Sequence, residues 1–408
     1  MANWSRLQHD MLELIAQRLT KIEDYVAFGA VCTSWRAAAA ASENNFKGLK
    51  LWQQIPCLML SSEDDDREFY SLMEQDVVAK VSLPNLKGKK CYESLGWLLT
   101  VGQQGEMSLV HPFSAHDEIP LPHQNTFKHH DWLNTFREIF VEKFVLSANP
   151  CETSDFVVML ICGSVRYLAF WRNNDQNWTK IKTRNSVYGD VKYHDGKFYA
   201  IDHKGYFVVC DISGPNPTKA TLITRLIPYS EDSSVQGLIY SDELHDFYRN
   251  LIVLNKHLYI VESSHSNKDS LRVVTRDCFA NYDDGQDGEL DQPTYDTKGF
   301  QVYEVDLLGG TWKEINCLGN RALFLGHSAS ISLDVSTNKL SPKIKQNHIY
   351  FTDDCWQGYL VPNESDIPEG GGGKDMGVCN LETGIIEPFY NVPQRISLCP
   401  SIWITPNF

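Results

Sequence analysis

The stretch "GKFYAIDHKGYFVVCDISGPNPTKATLI" occupies Gly196–Ile223. Its runs "KFYAID", "YFVVC" and "ATLI" are rich in aromatic and β-branched residues. Gly, Asp, Asn and Pro clusters bound them, so they read as short strands joined by turns. The first run recurs. Strands of its kind begin at Pro56 ("PCLMLSS"), Trp97 ("WLLTVGQ"), Phe156 ("FVVMLIC"), Lys197 ("KFYAIDH"), His257 ("HLYIVES") and His348 ("HIYFTDD"). Each has a partner unit of strand, polar turn and strand. These are "FYSLMEQDVVAKVSLP", "MSLVHPFSAHDEIPLP", "YLAFWRNNDQNWTKI", "YFVVCDISGPNPTKATLI", "VYEVDLLGGTWKEI" and "MGVCNLETGIIEPFY". Trp178…Ile181 and Trp312…Ile315 sit at the same place in two of them, which marks both tryptophans as packing residues.

Several strands per repeat, at a period of 40–50 residues, are the signature of a β-propeller. The spacings here are 41, 59, 41, 60 and 91 residues, so the predicted fold is mainly β with six blades. The longest interval leaves room for a seventh blade but shows no matching strand pair. Its acidic segment between Ser263 and Gly299 reads as a surface loop, dispensable for folding. The last apolar run, "SIWITP" from Ser401, has no blade of its own, and the first blade lacks an innermost strand. Pairing the two closes the ring and removes exposed edges.

Forty-two per cent apolar and 22% charged residues describe a soluble globular protein. No apolar run reaches the roughly 18 residues of a membrane span, and the N-terminus lacks an export signal. Eleven cysteines without a CxxC pair read as reduced residues of a cytosolic or nuclear protein. The net charge is −15, and residues 1–48 are neutral, so the acidity lies in the β-body. That argues against nucleic acid as a partner. Acidity serves solubility first; as a partner signal it favours a basic one.

The first 48 residues differ from the rest. Leu12, Ile15, Ala16 and Leu19 make one apolar stripe at helical spacing, and Met11 and Leu14 widen it. Thr20 and Glu23 fit a capping box for a second helix near Lys21. Thr33 or Ser34 can cap a third, "SWRAAAAA", rich in strong helix formers. Three short helices make a marginal core. Either they cap the β-body, or their apolar excess is completed by another protein.

The order Leu7, Asp10, Leu12, Ile15, Leu19, Asp24, Phe28, Val31-Cys32, Trp35-Arg36, ending in "VCTSWRAAA", resembles an F-box over residues 4–45. The usual Leu-Pro is Leu7-Gln8 here, which removes a preset backbone at the start of the first helix. The resemblance implies a three-helix domain that binds the Skp adaptor, and through it a cullin and a RING protein. It implies Leu7, Met11, Leu12, Ile15, Leu19, Val31 and Trp35 at or behind that contact. The β-body is similar to a plant F-box group with a KIB-like C-terminal domain. The text that carries this is "GWLLTVGQQGEMSLVHPFSAHDEIPLP", "VKYHDGKFYAID", "ALFLGHSASISLDV" and "KIKQNHIYFTDD". Members of that group are understood as substrate receptors.

No pattern in the chain carries catalysis. "GHSAS" at Gly326–Ser330 lacks the final glycine of a nucleophile elbow. "GGGGKD" at Gly370–Asp375 lacks the hydroxyl residue of a phosphate loop. "DDGQDGELD" at Asp283–Asp291 fails the calcium-loop pattern, and "HHD" at His129–Asp131 has no second cluster at ligand spacing. No metal or other cofactor is therefore expected. Trp171, Trp356 and Tyr359 lie off the tryptophan repeat position and are the candidate protein-substrate contacts. The expectation is a non-catalytic substrate receptor, with residues 1–48 docking on Skp and residues 49–408 holding a protein substrate. The rival is a propeller hydrolase with inward carboxylates or histidines from several blades. A second rival is a Skp-binding protein with no role in degradation.

Overall fold

The computed structural model of the protein describes residues 7–16, 18–19, 24, 28–29, 31–42, 55–60, 65–113, 118–127, 141–163, 166–183, 187–226, 256–264, 267–281, 294–328, 330–336, 344–353, 375–389 and 401–405. Two helices open the chain, α1 (His9–Ala16) and α2 (Thr33–Ser42). Most of the expected second helix lies outside the described residues. Asp10 sits in the first turn of α1, where the helix dipole favours negative charge. The third helix starts at Thr33, one of its two expected caps, which is thus its first helical residue. Just before it, the thiol of Cys32 bonds the Ser34 hydroxyl at 3.1 Å. That contact, with the Trp35 backbone N–H, lowers the thiol's pKa.

The strands follow in chain order. The first blade holds β1 (Cys57–Met59), β2 (Asp66–Ser71) and β3 (Asp76–Ser82). The second holds β4 (Lys90–Ser94), β5 (Trp97–Val101), β6 (Met107–Val110) and β7 (Glu118–Leu121). The third holds β8 (Val141–Leu146), β9 (Val157–Cys162), β10 (Tyr167–Arg172) and β11 (Thr179–Lys180). The fourth holds β12 (Tyr188–His194), β13 (Lys197–Asp202), β14 (Tyr206–Cys210) and β15 (Ala220–Arg225). The fifth holds β16 (Lys256–Ser264), β17 (Asn267–Asn281), β18 (Thr294–Asp306) and β19 (Trp312–Ile315). The sixth holds β20 (Arg321–Leu325), β21 (Ser330–Asp334), β22 (His348–Phe351), β23 (Gly377–Asn380) and β24 (Ile386–Pro388). A final strand, β25 (Ile402–Ile404), pairs antiparallel with β1, Leu58 opposite Trp403. The ring therefore closes as the sequence predicts, with one C-terminal strand completing the first sheet.

Six sheets pack face to face, and an apolar cluster fills each of the six seams between neighbours. The seam between the sixth and first blades joins Phe324 and Tyr350 to Leu58, Tyr70 and Trp403. It leaves no gap for a seventh blade. All six partner units form the third and outer strands of their blades, apart from the sixth, where an extra strand displaces them outward by one. The hairpin of β12 and β13 is tight. Asp195 and Gly196, with φ of 42° and 81°, turn β12 into β13, the left-handed pair that suits the strand twist.

Two expectations need correction. The described residues of the segment 263–299 are strand, not loop: they end β16, supply all of β17 and begin β18, with β17 and β18 paired from Ser270–Asp306 to Asn281–Thr294. Leu271 and Val273 lie in the seam with the fourth blade and Val274 in the seam with the sixth, so both faces of β17 are covered. "HLYIVES" is accordingly the innermost strand of its blade, not the second. In the sixth blade β20 wedges between β21 and β22 and runs parallel to β22, making five strands where the repeat predicts four.

Candidate functional site

The helical unit is the first candidate. Leu12, Ala16, Phe28 and Ala38 form its buried core, and Leu7, Leu19 and Trp35 pack half-buried around it. Phe28 and Trp35 meet with ring centroids 4.6 Å apart. Outside this core, Met11, Leu14, Ile15 and Val31 are 56, 56, 37 and 54% exposed. Met11, Leu14 and Ile15 lie at i, i+3 and i+4 on α1, so they share one face. The seven residues expected at the Skp contact therefore separate into three groups. Met11, Ile15 and Val31 face outward, Leu12 is core, and Leu7, Leu19 and Trp35 lie between. Leu14 belongs with the outward group. Its place at the edge of the stripe was the signal that could have found it.

The central channel is the second candidate. Innermost strands of several blades send polar side chains to one point. The Lys143 ammonium lies 3.1 Å from Asp190 Oδ1 and donates to Ser330 Oγ at 3.1 Å. Asp190 Oδ1 also accepts the Val191 N–H at 2.7 Å. Its Oδ2 accepts the Ile260 N–H at 2.6 Å and the Ser330 hydroxyl at 3.2 Å. Lys192 donates to the Ser330 carbonyl at 3.2 Å. This hub ties the third, fourth, fifth and sixth blades together. Glu93 extends it to the other two. Its buried carboxylate accepts backbone N–H groups from Gly96, at 2.9 Å, and Thr405 beyond β25. Burial raises its pKa to about 7, against the pull of those two bonds and of Lys192 and Lys143.

This geometry suits a structural pin. Four donors occupy both oxygens of Asp190, leaving no lone pair aimed at a ligand. Lys143 is ion-paired to Asp190 and donates to the Ser330 hydroxyl, so it stands towards Ser330 as a donor and not as a base. His203 is held down to about 3 by burial and Arg166. His327 is lowered well below its ordinary value by burial and then by Lys143, Arg166 and Lys90. Both imidazoles are neutral at pH 7 and cannot donate as acids. Ser328 follows β20 and Ser330 opens β21, so neither stands on a strand-to-helix elbow. Among the described residues no group of three or more His, Cys, Asp or Glu could hold a metal ion.

Of the expected substrate contacts, Trp171 is only 3% exposed. It packs on Phe156 in the seam of the second and third blades and donates its indole N–H to the Asp175 carbonyl at 2.8 Å. Burial leaves it no surface to offer a partner. Trp356 and Tyr359 lie outside the described residues, as do His129–Asp131, Asp283–Asp291 and most of Gly370–Asp375. Trp178 and Trp312 behave as repeat residues. Each donates its indole N–H to the end of the preceding blade, to Pro122 O at 2.9 Å and Arg225 O at 3.2 Å.

Among the described residues no helix is long and apolar enough to cross a membrane. Comparison with known proteins agrees with the architecture. The chain is 24% identical over 436 residues to F-box protein SKIP23 of Arabidopsis thaliana, covering 100% of this chain and 97% of that protein. It is 24% identical over 415 residues to Putative F-box protein At5g55150 of the same plant, covering 100% and 98%. The solved structure of apo AztD from Citrobacter koseri is 9% identical with a TM-score of 0.33, covering 63% of this chain and 57% of that one. The model of the KIB1-4 beta-propeller family matches residues 69–380, more than half of the chain, and the protein belongs to that family.

Proposed function

We propose that the protein is the substrate receptor of a Skp–cullin–F-box ubiquitin ligase. The helical unit docks on Skp through Met11, Leu14, Ile15 and Val31, and the propeller holds a protein to be ubiquitinated. The observation that carries this is the outward apolar face of α1, which lies outside the core formed by the described residues of the unit. Relatives aligned over the full chain and bearing the name F-box protein support the same reading. The mechanism is proximity: holding the substrate raises the effective concentration of its lysines near the charged ubiquitin carrier. The chain contributes no catalytic group, a reading supported by the occupied carboxylate and neutral histidines of the channel. Such a ligase works in the cytoplasm or nucleus.

The test is a pull-down of the full-length protein with purified Skp. Capture at micromolar concentrations is expected, and its loss in Ile15→Asp, because a charge buried unpaired in an apolar contact is costly. Absence of wild-type capture would return the unit to a cap and reopen the enzyme reading.

A further inference from the structure

The net charge of −15 hides a reversal. Residues 166–226 carry ten Lys and Arg against five Asp, a surplus of +5, so the remainder carries −20. This segment is the outer half of the third blade and the whole of the fourth. All five of its aspartates are engaged. Asp190 holds Lys143, Asp195 holds Lys268 at 2.9 Å, and Asp211 holds Lys197 at 3.7 Å. Asp202 accepts the Lys204 and Tyr206 N–H groups, and Asp175 that of Arg172. Three exposed lysines are left over at the seam of these blades: Lys180, Lys182 and Lys219. Lys182 and Lys219 face each other in a parallel bridge, with the Lys182 N–H donating to Thr218 O at 2.7 Å. Like charges directly opposite destabilise a strand pair, so folding stability does not account for this arrangement. Lys180 precedes Lys182 by two residues on extended chain and so lies on the same side. Its ammonium rests 4.2 Å from the centre of the Tyr167 ring rather than on a described carboxylate.

We propose that Lys180, Lys182 and Lys219 form a docking surface for an acidic stretch of a protein partner. Three exposed lysines at neighbouring backbone positions, one of them over an aromatic ring, fit carboxylate or phosphoserine side chains on an extended peptide. The strongly negative remainder of the molecule repels a long polyanion, which favours a short acidic segment over nucleic acid. Under the substrate-receptor reading this surface describes the charge class of the substrate; as a binding surface it stands without Skp.

The experiment uses the full-length protein and fluorescein-labelled twelve-residue peptides, one alternating Glu and Gly, one with phosphoserine for Glu and one with Lys for Glu. Fluorescence anisotropy is expected to show binding of an acidic peptide, weakened severalfold by added salt, and none of the Lys peptide. Lys180→Glu, Lys182→Glu and Lys219→Glu together are expected to weaken binding at least about tenfold, while Skp capture and the melting temperature stay unchanged. Binding by both acidic peptides or by the phosphorylated one alone supports the surface and identifies the anion's source. Equal binding by the charge-reversed protein, or binding by neither acidic peptide, overturns it. Binding that emerges only after Asp283→Asn, Asp284→Asn, Asp287→Asn, Glu289→Gln and Asp291→Asn also overturns it, because the chain's own acidic stretch is then the occupant. Loss of Skp capture with peptide binding intact counts against the ligase reading alone.

Discussion

The helical unit and the propeller bury their apolar residues to different degrees. Among the described residues of the unit, Leu12, Ala16, Phe28 and Ala38 form the core while Met11, Leu14, Ile15 and Val31 stay exposed. In the propeller, each blade face is covered by the next blade, and the exposed large apolar residues Leu95, Leu222, Leu308 and Ile385 are scattered singly among different blades. Single exposed apolar residues are normal, whereas a shared exposed face marks an interaction surface. A ring completes its own surfaces, but a short helical unit has more apolar stripe than it has partners. The contrast places folding stability in the propeller seams and, under the proposed function, the Skp contact on the helices.

The sharpest way to break this contrast is to open the ring. Deleting residues 401–408 removes Trp403, which is fully buried and donates to Leu325 O at 3.0 Å. It also bares the edge of β1. Aggregation and loss of a single cooperative melt are expected, by light scattering and calorimetry. A soluble, monomeric product of unchanged stability would mean that the ring closes elsewhere. A smaller effect is expected at the fifth seam. Arg276 is fully buried and spans to the sixth blade, donating to Thr352 O at 2.7 Å and Asp375 Oδ2 at 2.9 Å. Arg276→Met strands the Asp375 carboxylate, a loss of about 3–5 kcal/mol by denaturant unfolding. A loss below about 1 kcal/mol would show that this seam does not rely on the ion pair.

Glu93 gives a smaller effect, governed by pH. Its folded pKa of about 7 lies above the ordinary 4.5. The stability it contributes is therefore fully present below pH 4.5 and is lost as the pH rises through about 7. The size is about 3 kcal/mol, at 1.36 kcal/mol per pH unit. Glu93→Gln cannot ionise. The variant should gain stability relative to the wild type by about that amount between pH 4.5 and 8, measured by urea unfolding. A difference that stays constant with pH would show that the carboxylate is solvated.

Most of the propeller is legible in the sequence because each blade repeats one pattern under one constraint, burial on both faces. The outer hairpins and the C-terminal closure are read directly from "WTKI", "WKEI" and "SIWITP". The fifth blade is misread because β17 and β18 carry Asp, Asn, Lys and Arg among their apolar residues, and the buried Arg276 looks like a loop residue until Asp375 is brought beside it. The channel hub is not legible at all. Glu93, Lys143, Asp190 and Ser330 share no motif, and only ring closure brings residues so distant in the chain into contact. The α1 stripe predicts an apolar excess, but its division into core and surface needs the position of Phe28 and Ala38.

That division yields the prediction with the smallest effect on folding. Leu12 and Ile15 sit on the same short helix, three residues apart, and composition cannot tell them apart. Leu12 is fully buried against Ala16 and Phe28. Leu12→Asp places an unpaired charge in the core and should unfold the helical unit. Ile15 is 37% exposed at the rim of the outward face. Ile15→Asp should change folding stability by about 0.5 kcal/mol or less, the range of surface substitutions. Burying a half-exposed Ile against a partner is worth about 1 kcal/mol, and replacing it with an unpaired carboxylate adds a desolvation cost on top. Skp capture should therefore fall at least about tenfold. Circular dichroism separates the two outcomes: Leu12→Asp loses helical signal and binding together, and Ile15→Asp loses binding alone. If Ile15→Asp also loses helical signal, Ile15 belongs to the core, and the outward face reduces to Met11, Leu14 and Val31.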